Sequence, residues 1–228
     1  MRTLLPAAAL LMSLSGLMSL SGCTGMARQL DREGSLVDSR ATDWRSVATD
    51  ADRIRLREWR SSFVDALKAS RAAGNGAKID AEGVLLRPDA ALPNPAIPAG
   101  TYACRTIKIG AKQPGLMDYL AYPEFSCRVS DGLGSDGPVS DRRDVQQLVK
   151  LTGSQRPVGL VYPGDPLRSV FLGTLMLGDE SRTMQYGGDR ERDMAGYVER
   201  VGPQRWRLIL PRPAFESKLD VIELVPAG

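Results

Sequence analysis

The chain has 228 residues, no histidine, and 30 Lys and Arg against 27 Asp and Glu, which gives a formal net charge of +3. This near balance argues against nucleic acid as a partner, because nucleic-acid-binding domains are usually strongly basic. The lack of histidine removes the commonest general base and the commonest zinc ligand. We therefore expect no metal and no cofactor, and an enzyme is the least favoured class of function.

The first 22 residues are predicted to be a leader. Thr3 to Gly22 is an uncharged run rich in Leu, Ala and Met, preceded by Arg2. A basic start, an apolar middle and a small-residue end are typical of a secretory signal peptide. The stretch Leu20-Ser21-Gly22-Cys23 resembles the bacterial lipobox, which implies cleavage before Cys23 and a lipid on its thiol. An uncleaved anchor and an ordinary signal-peptidase site are the alternatives.

The residues after Cys23 set the expected location. Thr24 stands where many lipoproteins of Gram-negative bacteria carry the Asp that retains them at the inner membrane. We therefore predict an outer-membrane lipoprotein facing the periplasm, with the inner membrane as the alternative. Residues 23–41 are polar and show no clear period, which predicts a tether between the membrane and the cell-envelope domain.

An amphipathic helix is predicted at about residues 50–73. Thr49 with Asp52 three residues later is a variant of the capping box. Apolar residues recur every three or four positions and form one stripe. We predict that this stripe packs on the rest of the protein through Trp59 and Phe63. The alternative is a basic helix lying on the membrane, which is disfavoured because acidic residues interleave with the arginines.

The helix is expected to end at Gly74-Asn75-Gly76, since glycine tolerates the left-handed conformation that follows a helix. Four prolines between Pro88 and Pro98 then favour an extended, irregular chain. We interpret residues 42–99 as a helix followed by a proline-rich strap.

From residue 100 to residue 228 the apolar period changes to two, which is typical of strands. Nine short predicted strands with turn signals between most of them, and no helical pattern, indicate an antiparallel, mainly β domain. A sandwich and an up-and-down barrel of about eight or nine strands are the alternatives. The barrel is favoured because the connections are short and closure removes exposed edges. The predicted strands are TYACRTIKI, EFSCRVS, VQQLVKLT, PVGLVY, SVFLGTLML, RTMQY, DMAGYVERV, RWRLILP and KLDVIELV.

The cysteines predict one disulfide. If Cys23 is acylated, Cys104 and Cys127 remain as a pair in an oxidising compartment. Both lie on predicted strands, and a hairpin with Cys104 directly opposite Cys127 would bring them within bonding range. The other opposed pairs in that register are Thr106 with Phe125 and Tyr102 with Val129.

Catalytic motifs are not evident. The sequence has no Gly-x-Ser-x-Gly elbow and no Walker-type phosphate loop. The run DRERD at 189–193 is interpreted as a charged turn whose neighbours neutralise one another. DGLGSDG at 131–137 fails the calcium-loop pattern, because Leu133 stands where an oxygen ligand is needed.

A family resemblance rests on the stretches LLRPDAALPNPAIPAGTYACRTIKIG, LTGSQRPVG, RERDMAGYVER and RWRLILPRPAFESKLDVIELVP. Together they resemble an uncharacterised proteobacterial family, catalogued as domain of unknown function 4893, over roughly residues 40–226. The resemblance implies an envelope protein of unassigned activity and transfers no catalytic residue.

Two classes of function follow. The first is a lipid-anchored binding module whose barrel holds a small apolar ligand, an envelope lipid or a protein partner. The second is a structural or interaction protein of the envelope, with a filled core and no ligand. A histidine-independent hydrolase comes third. In SVFLGTLML both faces of the strand are apolar, which favours packing on both sides of the sheet.

Overall fold

A computed structural model of the protein describes residues 43–132, 144–178 and 180–228. The predicted signal peptide, the lipidation site Cys23 and the tether lie outside these residues. Within the part that the structure describes, no helix has the length and the hydropathy needed to cross a bilayer.

Short helices precede the sheet, where the sequence predicted one longer helix. Thr49 is the N-cap of the second helix, and its hydroxyl accepts a hydrogen bond from the amide of Asp52. The helix is interrupted at Glu58 and kinks at Gly74, which has the left-handed φ of 85°. The chain then resumes a helical path instead of ending it there. The α-helices are α1 (Trp44–Val47), α2 (Asp50–Arg57), α3 (Trp59–Ser70) and α4 (Gly76–Ala81), followed by a 3-10 turn at Gly83–Leu86.

The nine strands in the described residues form one antiparallel sheet. Eight of them pair in chain order, and β1 pairs again with β9, so the sheet closes into an up-and-down barrel. β2 is extra, because it pairs only with the last part of β1. The predicted fold class is confirmed. The strands are β1 (Gly100–Ala111), β2 (Tyr119–Ala121), β3 (Phe125–Asp131), β4 (Gln146–Lys150), β5 (Gln155–Asp165), β6 (Arg168–Leu177), β7 (Asp193–Gly202), β8 (Arg205–Pro211) and β9 (Ser217–Pro226).

One predicted strand is wrong and one strand was missed. Residues 182–186, the stretch RTMQY, lie in the connection between β6 and β7. They have no strand to pair with, because β6 and β7 pair directly with each other. β2 has only three residues, too few for an apolar period to show in the sequence.

The disulfide between Cys104 and Cys127 is confirmed, with the Cα atoms 6.0 Å apart. The predicted register is wrong by two residues. Cys127 is opposite Tyr102, and Cys104 is opposite Phe125, so the two cysteines are diagonal neighbours. A shift of two residues preserves the face on which each side chain lies, and both cysteines are in the barrel core.

Both faces of the barrel wall are buried over much of its area. On β6, Phe171 and Leu175 point into the barrel, whereas Val170 and Leu172 point outward. The outward residues pack with Leu56 of α2 and with α1. This arrangement explains why the strand is apolar on both faces.

α3 covers a second part of the outer wall, formed by β1, β8 and β9. Phe63 is fully buried there against the sheet. Trp59 is half-buried, and its ring contacts Phe63 and Tyr197 edge to face. The close approach of α3 to the sheet falls at Gly110, where an added Cβ would lie 3.3 Å from the backbone of Ala66.

A buried ion pair fastens the segment that follows the helices. Arg207 on β8 and Glu199 on β7 are fully buried and lie 2.6 Å apart. The guanidinium also donates hydrogen bonds to four backbone carbonyls just before or at the start of the proline-rich segment. Buried backbone carbonyls need such donors. The four carbonyls belong to Val84, Leu85, Arg87 and Pro88.

The proline-rich strap, residues 88–99, crosses one end of the barrel. Ile97 is almost fully buried in the interior core at that end. Side chains of the barrel donate hydrogen bonds to strap carbonyls: Trp206 to Ala96, Gln146 to Ile97, Tyr102 to Pro98 and Arg200 to Pro93. We call this end, where β1 begins, the closed end.

Candidate functional site

The opposite end of the barrel, where β1 finishes and β9 begins, holds a pocket of about 500 Å³. We call it the open end. Its rim is formed by residues 122–124, 152–154, 191–192 and 213–216, which lie in the connections between strands. A volume of this size lies within the usual range for small-molecule sites, about 300–1,000 Å³.

The middle of the barrel is filled below this pocket. The ring of Phe171 lies against Gly159 and Gly173, where an added Cβ would come within 2.7 Å of it. Gly196 is opposite Phe171 on the neighbouring strand. Gly159 and Gly173 on the inner face therefore make room for this aromatic ring. Since further buried apolar residues lie between this ring and the strap, the interior is packed toward the closed end and open toward the other.

Apolar side chains form most of the lower pocket wall. They come from five different strands, so no single stretch of sequence contains the surface. The barrel brings together Phe125, Leu175, Met194, Leu210 and Ile222.

Exposed apolar residues lie on the connections at the open end of the barrel. Met117 is 61% exposed, and Leu116, Tyr122 and Phe215 are each more than one third exposed. All four lie on connections at the open end, and Tyr122 and Phe215 line the pocket itself. Apolar groups gathered at one place on a surface often mark a binding site.

A buried charge pair lies on the β1–β9 side of the pocket. The ammonium of Lys108 is 3.3 Å from the carboxylate of Asp220 and 3.1 Å from that of Glu216. Burial opposes the charge of Lys108, but the two carboxylates overcome it and raise the pKa of this lysine. Burial also raises the pKa of Asp220, against the effects of Lys108 and of the hydroxyl of Ser217, which hydrogen-bonds to it.

Lys150 supplies a second ammonium group to the same pocket. Its Nζ lies 3.8 Å from the centroid of the Phe125 ring. Among the described residues, no carboxylate lies within ion-pair distance of it. Burial, and then the charges of Lys108 and Arg156, lower the pKa of Lys150 to about 8. The pocket therefore combines an apolar wall with one cation that lacks a carboxylate partner in the described structure.

The sequence-predicted residues lie elsewhere. Trp59 and Phe63 are on the outer wall, and the disulfide of Cys104 and Cys127 is in the interior core. None of these four residues lines the pocket. Glu191, Arg192 and Asp193 of the DRERD run do reach the pocket, where Arg192 pairs with Glu180 at 2.6 Å.

The pair of Lys108 and Asp220 has a signal in the sequence. In TYACRTIKI, Lys108 falls on the same alternating face as Cys104, which is the interior face. In KLDVIELV, Asp220 likewise shares a face with Ile222. A charge of each sign on the inward face of two strands that pair with each other indicates a polar site inside a barrel. In the described residues, no group of three or more Cys, Asp and Glu side chains is arranged to hold a metal ion.

The eight strands form an antiparallel barrel whose sheet closes on itself, with helices on its outer wall. The pocket opens at one end of this barrel. The chain belongs to the family described as Domain of unknown function (DUF4893), whose model matches residues 44–224. No curated protein and no solved structure matches the chain significantly. The family match includes all the helices and strands of the barrel except the end of β9.

Proposed function

We propose that this protein is a binding module that holds a small, mainly apolar ligand in the open end of its barrel. The observation that carries the proposal is the pocket of about 500 Å³ with an apolar wall, which lies above the packed middle of the barrel. A wall of Phe, Leu, Met and Ile next to a few polar groups is the usual composition of a small-molecule site.

The two ends of the barrel support this proposal by their difference. At the closed end, the indole N–H of Trp206 and the hydroxyl of Tyr102 donate hydrogen bonds to the strap. At the open end no segment of the described residues crosses the barrel in this way, and the exposed side chain of Phe215 lines the pocket. A ligand would enter between these connections and lie on the apolar wall.

Binding of N-phenyl-1-naphthylamine, an uncharged probe that fluoresces in apolar surroundings, tests the proposal. We expect saturable binding that Leu175→Trp weakens at least tenfold, because the larger side chain fills the pocket. Val225→Trp, which adds the same side chain at an exposed site near the closed end, should bind as the wild type does. Absence of saturable binding, or equal binding by both variants at unchanged melting temperature, would contradict the proposal.

We also propose that the module is attached to the outer membrane by a lipid on Cys23. The proposal is supported by the lipobox-like stretch that ends at Cys23 and by Thr24 after it. Labelling cells with radioactive palmitate tests it: the wild type should become labelled, and Cys23→Ser should accumulate as an unlabelled precursor. A labelled Cys23→Ser protein would refute the assignment.

A further inference from the structure

We infer that the ligand is an amphiphile with an anionic head group, and that Lys150 binds this head group while the apolar wall binds the tail. This inference rests on the proposed ligand pocket and adds the chemical class of its ligand. The shared chemistry is a negatively charged head group on an apolar chain, whether the charge belongs to a carboxylate or to a phosphate.

Lys150 lies at the open end of the barrel and lines the pocket. It is the last residue of β4, opposite Cys127, which points into the barrel. In an antiparallel pair, opposed side chains lie on the same face, so Lys150 also points inward. Its stem passes the turn at Gly153, and its ammonium group lies over the ring of Phe125. The charge is thereby held at the boundary between the apolar wall and the rim.

Other cations at the pocket already have carboxylate partners. Lys108, the nearby lysine of β1, has two carboxylate partners, Asp220 and Glu216. Arg192 across the pocket pairs with Glu180. Lys150 has no such partner among the residues that the structure describes. A partly buried cation without a counter-ion is unfavourable, and an anionic ligand would supply the missing charge.

The remaining acids of the pocket do not fill this role. Glu124 and Glu191 are exposed at the rim. Asp193 is buried, and it accepts a hydrogen bond from the amide of Gly187 on the connection outside the barrel. A ligand carboxylate would therefore meet one available ammonium group, next to the aromatic face of Phe125.

The polar and apolar surfaces of the pocket are separated from each other. Phe125, Leu175 and Ile222 line the wall between Lys150 and the packed middle of the barrel. A ligand that satisfies both surfaces needs a charge at one end and hydrocarbon at the other. This requirement excludes both a simple inorganic anion and a fully apolar molecule as the preferred ligand.

Competition against bound N-phenyl-1-naphthylamine tests the inference with three ten-carbon ligands, decanoate, decyl phosphate and decanol. We expect both anions to bind the wild type about tenfold more tightly than decanol at pH 7, since hydrogen bonds to charged groups are the stronger ones. Lys150→Met should bind the anions about as tightly as decanol, and its affinity for decanol should be unchanged. Lys68→Met, on the exposed face of α3, is the matched control and should keep the preference.

Each outcome bears on a different claim. Equal binding of decanol and the two anions by the wild type would overturn the anionic class and leave the apolar pocket standing. A preference that survives Lys150→Met would overturn the role of Lys150. If only decyl phosphate is preferred, the ligand is a phosphate amphiphile, and if both anions are, charge alone is recognised. Failure of the probe and of all three ligands to bind would instead refute the proposed function.

Discussion

Replacing Lys150 by Met should make the protein more stable, although it removes a charged group from the proposed binding site. The lysine is held partly buried beside Lys108 and Arg156, and this position lowers its pKa from 10.5 to about 8. The cost of keeping the charge is present in the folded state and absent in the unfolded chain. Methionine has a similar length and can keep the contact with Phe125 through its thioether.

The size of the effect follows from the shift in pKa. One unit of pKa corresponds to about 1.4 kcal/mol, so the full shift would correspond to about 3 kcal/mol. Lys150 is only partly buried, and solvent screening reduces such contributions. We therefore expect Lys150→Met to raise the free energy of unfolding by about 1–2 kcal/mol at pH 7, or the melting temperature by roughly 2–8 °C.

The pH dependence separates this cause from a change in packing. Between about pH 8 and 10.5 the unfolded chain binds more protons at Lys150 than the folded protein does. The wild type therefore gains stability relative to the variant as the pH rises through this window. The difference should be fully present below pH 8 and lost above pH 10.5.

Urea unfolding of both proteins, followed by circular dichroism at pH 7 and at pH 10.5, measures this difference. Lys68→Met controls for loss of an exposed lysine and should change the free energy of unfolding by less than about 0.5 kcal/mol at either pH. A Lys150→Met protein that is less stable than the wild type at pH 7 would refute the reasoning. A stabilisation that is equal at both pH values would do the same.

Three further changes test the scaffold. Phe63→Ala should cost about 3–5 kcal/mol in urea unfolding because the ring is fully buried, and half-buried Trp59→Ala should cost less; equal losses would contradict this assignment of the two rings. Arg207→Met should cost about 3–5 kcal/mol, since it breaks a buried ion pair and removes the guanidinium that binds carbonyls of residues 84–88; a neutral effect would show that the pair is dispensable. Replacing Cys104 and Cys127 together by Ala should cost roughly 3 kcal/mol on the chain-entropy model, measured as a lower melting temperature, and an unchanged melting curve would exclude a stabilising role for the bridge.

Local sequence patterns predicted the main elements of the fold. The cap at Thr49 and the period of two after residue 100 depend on neighbouring residues, and both were found as expected. Closure of the barrel was predicted from the short connections between consecutive strands. The register of β1 with β3 could not be read in the same way, because a shift of two residues leaves every side chain on the same face.

The pocket was beyond the reach of local patterns for a different reason. Its wall combines residues from strands far apart in the chain. The apolar residues on both faces of β6 predicted packing on both sides of the sheet. This prediction is correct for the middle of the barrel. Lys150 was not identified because the stretch VQQLVKLT places a single lysine near a strand end, where exposed lysines are common.

The strap across the closed end also sets an order of folding. Its carbonyls are bound by side chains of β1, β4, β7 and β8, so its binding surface exists only after these strands have assembled. Closure itself joins β1 to β9, with Tyr102 opposite Pro226. Contacts between such distant residues form slowly. The strap, which is synthesised before the strands that bind it, must therefore wait until β8 has been made. The amides of Leu92 and Asn94, which are bonded to barrel carbonyls, should be among the last to gain protection from hydrogen exchange.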